Sequence, residues 1–401
     1  MKRKVVITGM GCISGLGSGV NVTWKRALNG DGAIRSFIRE SITGVASWID
    51  DGETPSRLSS HDLRRMSKLD RLSLRALEAA CEAVEQAGLA GHPVFNSRAA
   101  IIVGCGSGGN ATIDAAYERL FSKGHAKVHP QTIPASMISA PAAHIAMLLG
   151  AHGPTFTLSS ACASSGHALG EAMHMIRAGR IDAAIAGGTE ACLSLGSWTA
   201  WQSLGVLASD TCRPFSQDRQ GMVLGEGAAM FVLEGEDHAR ARNAKVIAEL
   251  AGYGASTDAA HMTAPDIDGI AAAIESAYAD AGVPPGQPAL ISSHGTGTAL
   301  NDPAEAAALQ RVYGSALHRH TVIATKSAHG HMIGAAGAIE FLLGVKALVE
   351  GIAPPILNHI GPDPACDLPL ALSSRAIDTP ILASNSFAFG GLNAVLIGRR
   401  A

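Results

Sequence analysis

The sequence predicts an α/β protein of two related, fused lobes, and three observations carry that prediction. The chain has 401 residues, 47% of them hydrophobic and only 16% charged. That is long for a single hydrophobic core and apolar enough to fill two. An order of elements also recurs half a chain apart. An amphipathic helix over Ser73 to Gly88 leads to Ala99-Ala-Ile-Ile-Val-Gly-Cys-Gly-Ser-Gly-Gly, and an Ala-rich helix over Gly269 to Gly282 leads to Ala289-Leu-Ile-Ser-Ser-His-Gly-Thr-Gly. Each is a helix, a stop and a strand running into a glycine loop. Finally, chemistry-bearing residues collect just after apolar runs, in the loops beyond strand ends where α/β sheets place their ligands. The repeat is weak residue by residue. A boundary falls near Gly235 to Ala244, where Val232-Leu-Glu ends a strand and a polar helix follows. The expectation is therefore two halves, 1–240 and 241–401, facing each other across a site built from both sets of loops.

Several function classes drop out early. The net charge of −3 gives no general case for nucleic-acid binding. No apolar run approaches the length of a membrane span, and Met1-Lys-Arg-Lys leads straight into the strand Val5 to Thr8, unlike a signal peptide. Seven scattered cysteines, an odd number with no Cys-x-x-Cys, suit reduced thiols and a cytoplasmic setting. Glycines 9, 11, 15 and 17 follow the first strand but miss the G-x-G-x-x-G spacing of a dinucleotide loop. Arg57 to Arg71 is the most basic stretch, with Arg64, Arg65 and Lys68 at its centre. It reads as a solvated helix face or as a dock for an acidic partner.

The chemistry is organised around Thr157-Leu-Ser-Ser-Ala-Cys-Ala-Ser-Ser-Gly-His167. Pro154 to Leu158 reads as a buried strand, and Ala163 to Gly179 as a helix with apolar residues at Ala168, Leu169, Ala172, Met173 and Ile176. Cys162 then sits at a strand-to-helix turn, where unpaired N–H groups and the helix dipole favour its thiolate. Small neighbours leave room for an acyl group on the sulfur, as an acylated nucleophile requires; a buried structural cysteine is the plainer reading. His294, in His-Gly-Thr-Gly-Thr298, and His331, after Thr325-Lys-Ser-Ala-His-Gly, both follow strands. Hydrogen-bonded structural histidines are the plain alternative. His329-Gly-His331 could be half of a zinc site, but no carboxylate or thiolate stands at a suitable spacing.

Four motifs in order give a specific resemblance. Ser-Ala-Cys162-Ala-Ser, His294-Gly-Thr-Gly-Thr, Lys326-Ser-x-x-Gly-His331 and Asn385-Ser-Phe-Ala-Phe-Gly-Gly resemble the β-ketoacyl-[acyl-carrier-protein] synthases of the elongating type, over nearly the whole chain. The resemblance implies the thiolase fold with two pseudo-repeated αβαβα-type halves, working as a homodimer or as a heterodimer with a paralogous subunit. It implies that Cys162 accepts an acyl chain from acyl-carrier protein. Malonyl-carrier protein then loses carbon dioxide, and the enolate attacks the thioester. His294 and His331 donate N–H groups to the enolate oxygen. Lys326, partnered by Glu340, tunes them. The N–H groups of Cys162 and Phe389 form the oxyanion hole, and Phe389 is a gate. Thr296 and Thr298 bind the pantetheine arm, and Arg64, Arg65 and Lys68 dock the acidic carrier protein. No metal or cofactor is implied, because the substrates bring their own phosphopantetheine.

Departures from the common pattern point to a specialised member. Ser107 and Thr132 stand where a bulky aliphatic and an aromatic residue usually wall the acyl pocket, which makes it roomier and more polar. Trp201 occupies a region that often carries Phe, and Leu392 replaces a Thr beside the gate. Asp210-Thr-Cys-Arg-Pro-Phe-Ser and Asp363-Pro-Ala-Cys-Asp are similar to nodulation-type and aryl-polyene-type synthases. A non-catalytic chain-length-factor-like subunit is the main alternative, and a chain-starting malonyl decarboxylase another; in both classes the cysteine is replaced. A degradative thiolase would need a second cysteine where Phe389 stands. A Cys-His hydrolase leaves the second histidine and the lysine unexplained.

Overall fold

The structure, a computed structural model, describes residues 2–39, 41–50, 57–59, 62, 69–124 and 126–401. A single mixed sheet crosses the molecule. Its path begins with Thr321–Ile323, Leu290–Ser292, Ile381–Ala388, Leu392–Arg400 and Ala248–Thr257. It continues through Val5–Ser14, Gly227–Gly235, Ala183–Glu190, Ala99–Gly104 and Thr155–Leu158. The first five strands come from the C-terminal part of the chain and the last five from the N-terminal part. They meet where Val6 pairs with Glu249 and Ile7 with Ala248. Pairing is alike on the two sides. Leu290–Ser292 lies parallel to both its neighbours, as Ala99–Gly104 does, and antiparallel strands complete each side.

Strands with both faces covered read as continuous apolar or small-residue runs. Ala99–Gly104, Ala183–Glu190, Gly227–Gly235 and Ile381–Ala388 are buried at every position. Two helices fill the centre. Ser164–Arg177 and Ala336–Glu350 share one core with strand residues from both sides, and twelve of the fifteen residues of Ala336–Glu350 are buried. Outside, Arg71–Ala87 covers the N-terminal strands and Ile267–Ala281 the C-terminal ones. The two halves of the sheet thus enclose the central helices, and each half is covered on its outer side by a helix of its own. The two outer helices start and stop alike. Asp70 and Asp266 cap them, accepting from backbone N–H groups of the first turn, and Gly88 and Gly282 end them at φ 67 and 65.

One sequence expectation needs correction. Pro154 to Leu158 reads as a buried strand, but Thr155–Leu158 is the outer edge of the sheet, with no buried residue and Phe156 37% exposed. A short apolar run looks the same whether its second neighbour is a strand of this chain or nothing in it.

Candidate active site

Cys162 lies on a single tight turn, Ala161–Ala163, that ends the edge strand and opens the helix Ser164–Arg177. Ala161 sits at φ 47, a left-handed conformation costing a non-glycine residue about 1–2 kcal/mol. Ser164 holds the turn: its hydroxyl donates to the Ala161 carbonyl at 2.6 Å and accepts the Ser160 N–H at 2.9 Å. The helix terminus is where the sequence places it, but its field does not decide the charge on the sulfur. Burial pushes the Cys162 thiol up to about 12, against the smaller opposing pulls of Lys326 and of the Phe389 N–H directed at the sulfur. The thiol is neutral at rest, and its proton needs an acceptor.

His331 is that acceptor, its Nε2 3.0 Å from the Cys162 sulfur. Burial, then the Lys326 charge, lowers His331 well below the usual imidazole range, so it is a free base at neutral pH. Its loop is fixed from below. Glu190, wholly buried, accepts the Gly334 N–H at 3.1 Å and, on the facing loop, the Gly106 N–H and Ser107 hydroxyl at 2.8 Å each. The two loops touch so closely that a Cβ on Gly334 would lie 2.3 Å from the Gly106 nitrogen.

His294 follows the strand Leu290–Ser292. Its own N–H and that of Gly295 donate to the two oxygens of buried Glu305, each at 2.8 Å, and Asn385 donates to the same carboxylate. Gly295 and Gly297, at φ 40 and 74, give the backbone a left-handed path. Asp302 accepts from Gly297 and from Phe215 at the far side of that loop. Lys326, 1% exposed, is 2.5 Å from Glu340 and donates to the His294 carbonyl at 2.5 Å. Its Nζ is also 3.2 Å from His294 Nδ1. A lysine ammonium offers only donors, so Nδ1 is the acceptor and neutral His294 carries its proton on Nε2. Burial and the Lys326 charge keep His294 neutral. Burial also raises the Glu340 carboxyl to about 7, opposed by Lys326.

A cleft of about 340 Å³ runs from these groups to the surface. Cys162, His294, His331, Thr296, Thr298, Trp201 and Phe389 line it, and among the described residues no Asp, Glu, Lys or Arg does. The Thr296 and Thr298 hydroxyls are 2.8 Å apart. Phe389, half-buried, stacks on Trp201 with centroids 6.1 Å apart and planes 29° from parallel. Ser107 and Thr132 stand elsewhere. Ser107 turns its hydroxyl to Glu190, and Thr132 is buried at the start of the short helix Thr132–Ser136. Neither lines this cleft. Arg64, Arg65 and Lys68 lie outside the described residues.

The zinc reading of His329 fails on geometry. Its Nδ1 faces the Gly330 carbonyl at 2.7 Å and its Nε2 the Thr325 hydroxyl at 3.0 Å, so no lone pair is left for a metal. Cys162, His294 and His331 do bring three donor atoms within 4.8 Å of one another. The Lys326 charge directly behind His294 opposes a second cation there. Sequence reading missed Glu190, Asp302 and Glu305, buried carboxylates whose partners are backbone N–H groups. The acidic residue spaced eight and eleven positions after His294 was the only signal, and it has no motif value by itself.

The arrangement suits acyl transfer: a nucleophile with its base, a second neutral imidazole presenting an N–H, and a backbone N–H aimed at the sulfur. Known proteins agree. Residues 2–239 match the family described as "Beta-ketoacyl synthase, N-terminal domain" and residues 247–359 its "C-terminal domain". Nodulation protein E of Rhizobium sp. (strain N33) is 42% identical, covering 100% of both chains. The 3-oxoacyl-[acyl-carrier-protein] synthase 2 of Coxiella burnetii is 36% identical over 99% of this chain and 98% of its own. Among solved structures, the ishigamide ketosynthase/chain length factor superposes with a TM-score of 0.92 at 35% identity, covering 100% of both chains. The chain belongs to the β-ketoacyl synthases, with the thiolase fold of that family, and is an acyl-transferring condensing enzyme.

Proposed function

We propose that the enzyme carries out decarboxylative condensation of a Cys162-bound acyl thioester with malonyl-acyl-carrier protein, giving the 3-oxoacyl-carrier protein two carbons longer. In the first half-reaction the Cys162 sulfur attacks the acyl thioester carbonyl, and its proton passes to His331 Nε2. The carrier's pantetheine sulfur leaves and takes that proton, so His331 returns to neutral. Its Nδ1 has no partner among the described residues, and once the sulfur is acylated the ring holds its one proton on Nε2. In the second half-reaction the malonyl C–C bond breaks, carbon dioxide departs, and the electron pair forms an enolate. The N–H groups of His294 and His331 hold its oxygen. The enolate carbon attacks the Cys162 thioester while the N–H groups of Cys162 and Phe389 hold the tetrahedral oxyanion. The Cys162 sulfur leaves as a thiolate and takes up one proton from solvent, the proton that decarboxylation consumes. No strong base is needed, because decarboxylation makes the nucleophile. No group beyond the two substrates enters this scheme. The observation that carries the reading is the neutral His294, proton on Nε2, sharing a buried, uncharged cleft with the Cys162–His331 pair.

Intact-protein mass spectrometry tests it. Incubation with acyl-carrier proteins adds the acyl mass to the wild type and not to Cys162→Ala, and malonyl-carrier protein then removes it as the longer product. No acylation from any donor would instead favour a non-catalytic subunit, the reading that the chain length factor in the superposed structure keeps in view. The pathway is a specialised one in this proposal, elongating long or unsaturated chains. Supporting it are the Trp201 wall of the cleft and the similarity to nodulation protein E. Equal elongation of all saturated C6 to C16 chains and of polyenes would overturn it. Arg64, Arg65 and Lys68 are the proposed carrier dock, read from the sequence alone. The proposed dimer forms along the open edge strand Thr155–Leu158. Phe156, Tyr117, Phe121, Ile133 and Met137 are exposed by 37–76% on that strand and on the segment preceding it. Native mass spectrometry of the chain alone separates a homodimer from a subunit awaiting a paralogue. No helix among the described residues is long and apolar enough to cross a membrane, and we place the enzyme in the cytoplasm.

A further inference from the structure

Phe389 has two jobs that one loop must reconcile: its N–H points at the nucleophilic sulfur, and its ring stands in the cleft. The residues that follow it give little local stiffness. Gly390 and Gly391 are both left-handed, at φ 82 and 68, and only glycine takes two such positions in a row without strain. Two hydrogen bonds, Gly390 N–H to the Met262 carbonyl at 2.7 Å and Gly391 N–H to the Ala388 carbonyl at 3.0 Å, fix the backbone after the ring. The ring itself rests on Trp201. Trp201 is in the helix Leu195–Ser203 and packs against a separate apolar cluster that contains Trp198, Met222, Leu224 and Ile333. That cluster also backs the histidine loop, since Leu224 bridges to His331 and the Gly225 N–H donates to the His331 carbonyl at 2.8 Å. The indole therefore joins the Phe389 loop to the wall that carries His331.

We propose that Trp201 is a positioning residue for catalysis: by stacking on the Phe389 ring it holds the Phe389 N–H over the Cys162 sulfur, and through the shared cluster it keeps that N–H in register with His331. This deepens the condensing-enzyme reading and rests on it. It also differs from the role the sequence suggests for Trp201, a wall of the acyl pocket. A wall matters only to chains long enough to touch it. A residue that positions the oxyanion donor matters to every chain, the shortest included.

The test follows from that difference. Single-turnover acylation of Cys162 by acetyl-, hexanoyl- and dodecanoyl-carrier protein is measured for the wild type, Trp201→Ala and Trp201→Phe. Loss of the aromatic pair in Trp201→Ala lowers the maximal acylation rate about three- to tenfold for all three donors, with half-saturation unchanged. Trp201→Phe keeps a ring under Phe389 and recovers most of the rate. Wild-type speed in Trp201→Ala with the acetyl donor, or a loss confined to dodecanoyl, would overturn the proposal and leave the wall role. Failure of the wild type to take any donor would overturn the condensing reading and this inference together. Circular dichroism of both variants separates loss of fold from loss of rate.

Discussion

The floor and the mouth of the cleft are built on opposite principles. At the floor, Cys162, His294, His331, Lys326 and Glu340 are each no more than 6% exposed, and buried carboxylates fix the loops around them through backbone N–H groups. At the mouth, Leu204, Met262 and Leu300 are 45–70% exposed, and beneath them one aromatic stack takes the place of a hydrogen-bond network. A buried carboxylate with satisfied partners admits one arrangement, because any other leaves a charge or a donor unpaired. A stacked pair has one resting arrangement, which sets the Phe389 N–H, and its rings can part at small cost when a chain enters. The floor is made to be rigid, and the mouth to admit a chain.

The largest effects should follow from breaking the floor's proton path. Cys162 is a neutral thiol at rest and His331 its neutral base, so the pair should react without a pH step. Alkylation of Cys162 by iodoacetamide, followed by peptide mass spectrometry, should be nearly flat from pH 6.5 to 8.5 in the wild type. In His331→Ala it should fall about 10²- to 10⁴-fold at pH 7 and climb steeply with pH, because hydroxide must then ionise a thiol raised to about 12. A flat profile in the variant would mean that another group takes the proton. The sign for stability follows from the same histidines. Their folded values lie below the unfolded one, so unfolding takes up protons as pH falls below about 6.5, and the protein loses stability on that side.

Next in size is the Lys326–Glu340 pair. Removing one partner strands the other charge in the core, so Lys326→Met should cost about 3–5 kcal/mol by urea unfolding. Replacing both, in Lys326→Met with Glu340→Leu, should recover much of that stability, since an apolar pair of similar size can substitute for a buried ion pair. It should not recover condensation, because nothing then donates to His294 Nδ1 and its Nε2 proton is no longer assured. A double variant with wild-type turnover would assign Lys326 to stability alone.

How much could be read in advance divides along the same line. Cys162, His294 and His331 were legible because each follows a strand, and Lys326 and Glu340 because the ordered motifs resemble those of the β-ketoacyl synthases; Glu340 itself stands inside the helix Ala336–Glu350. Their scaffold was not. Glu190 lies 28 residues beyond Cys162, and only the folded sheet shows that it joins the Gly106 and Gly334 loops. Ser107 shows the same limit from the other side. Its small size suggests pocket space, yet its hydroxyl is bonded to Glu190 and the residue stands off the cleft. The exposed edge at Phe156 was misread for a related reason: a run of apolar residues records what covers a strand, and not which molecule supplies the cover.

The smallest effects belong at the rim, and they are the sharpest test of the contrast. Leu300 is 59% exposed and lines the outer cleft, so Leu300→Ala removes little buried area and should change unfolding stability by no more than about 0.5 kcal/mol. The maximal condensation rate should also stay put, since Leu300 has an apolar side chain that makes no hydrogen bond to the sulfur or the histidines. The half-saturating carrier-protein concentration is where a change should appear, because Leu300 is exposed and lines the cleft that leads to Cys162. A fall in maximal rate at unchanged half-saturation would show that Leu300, like Trp201, is coupled to the floor, and the permissive part of the mouth would then begin further out.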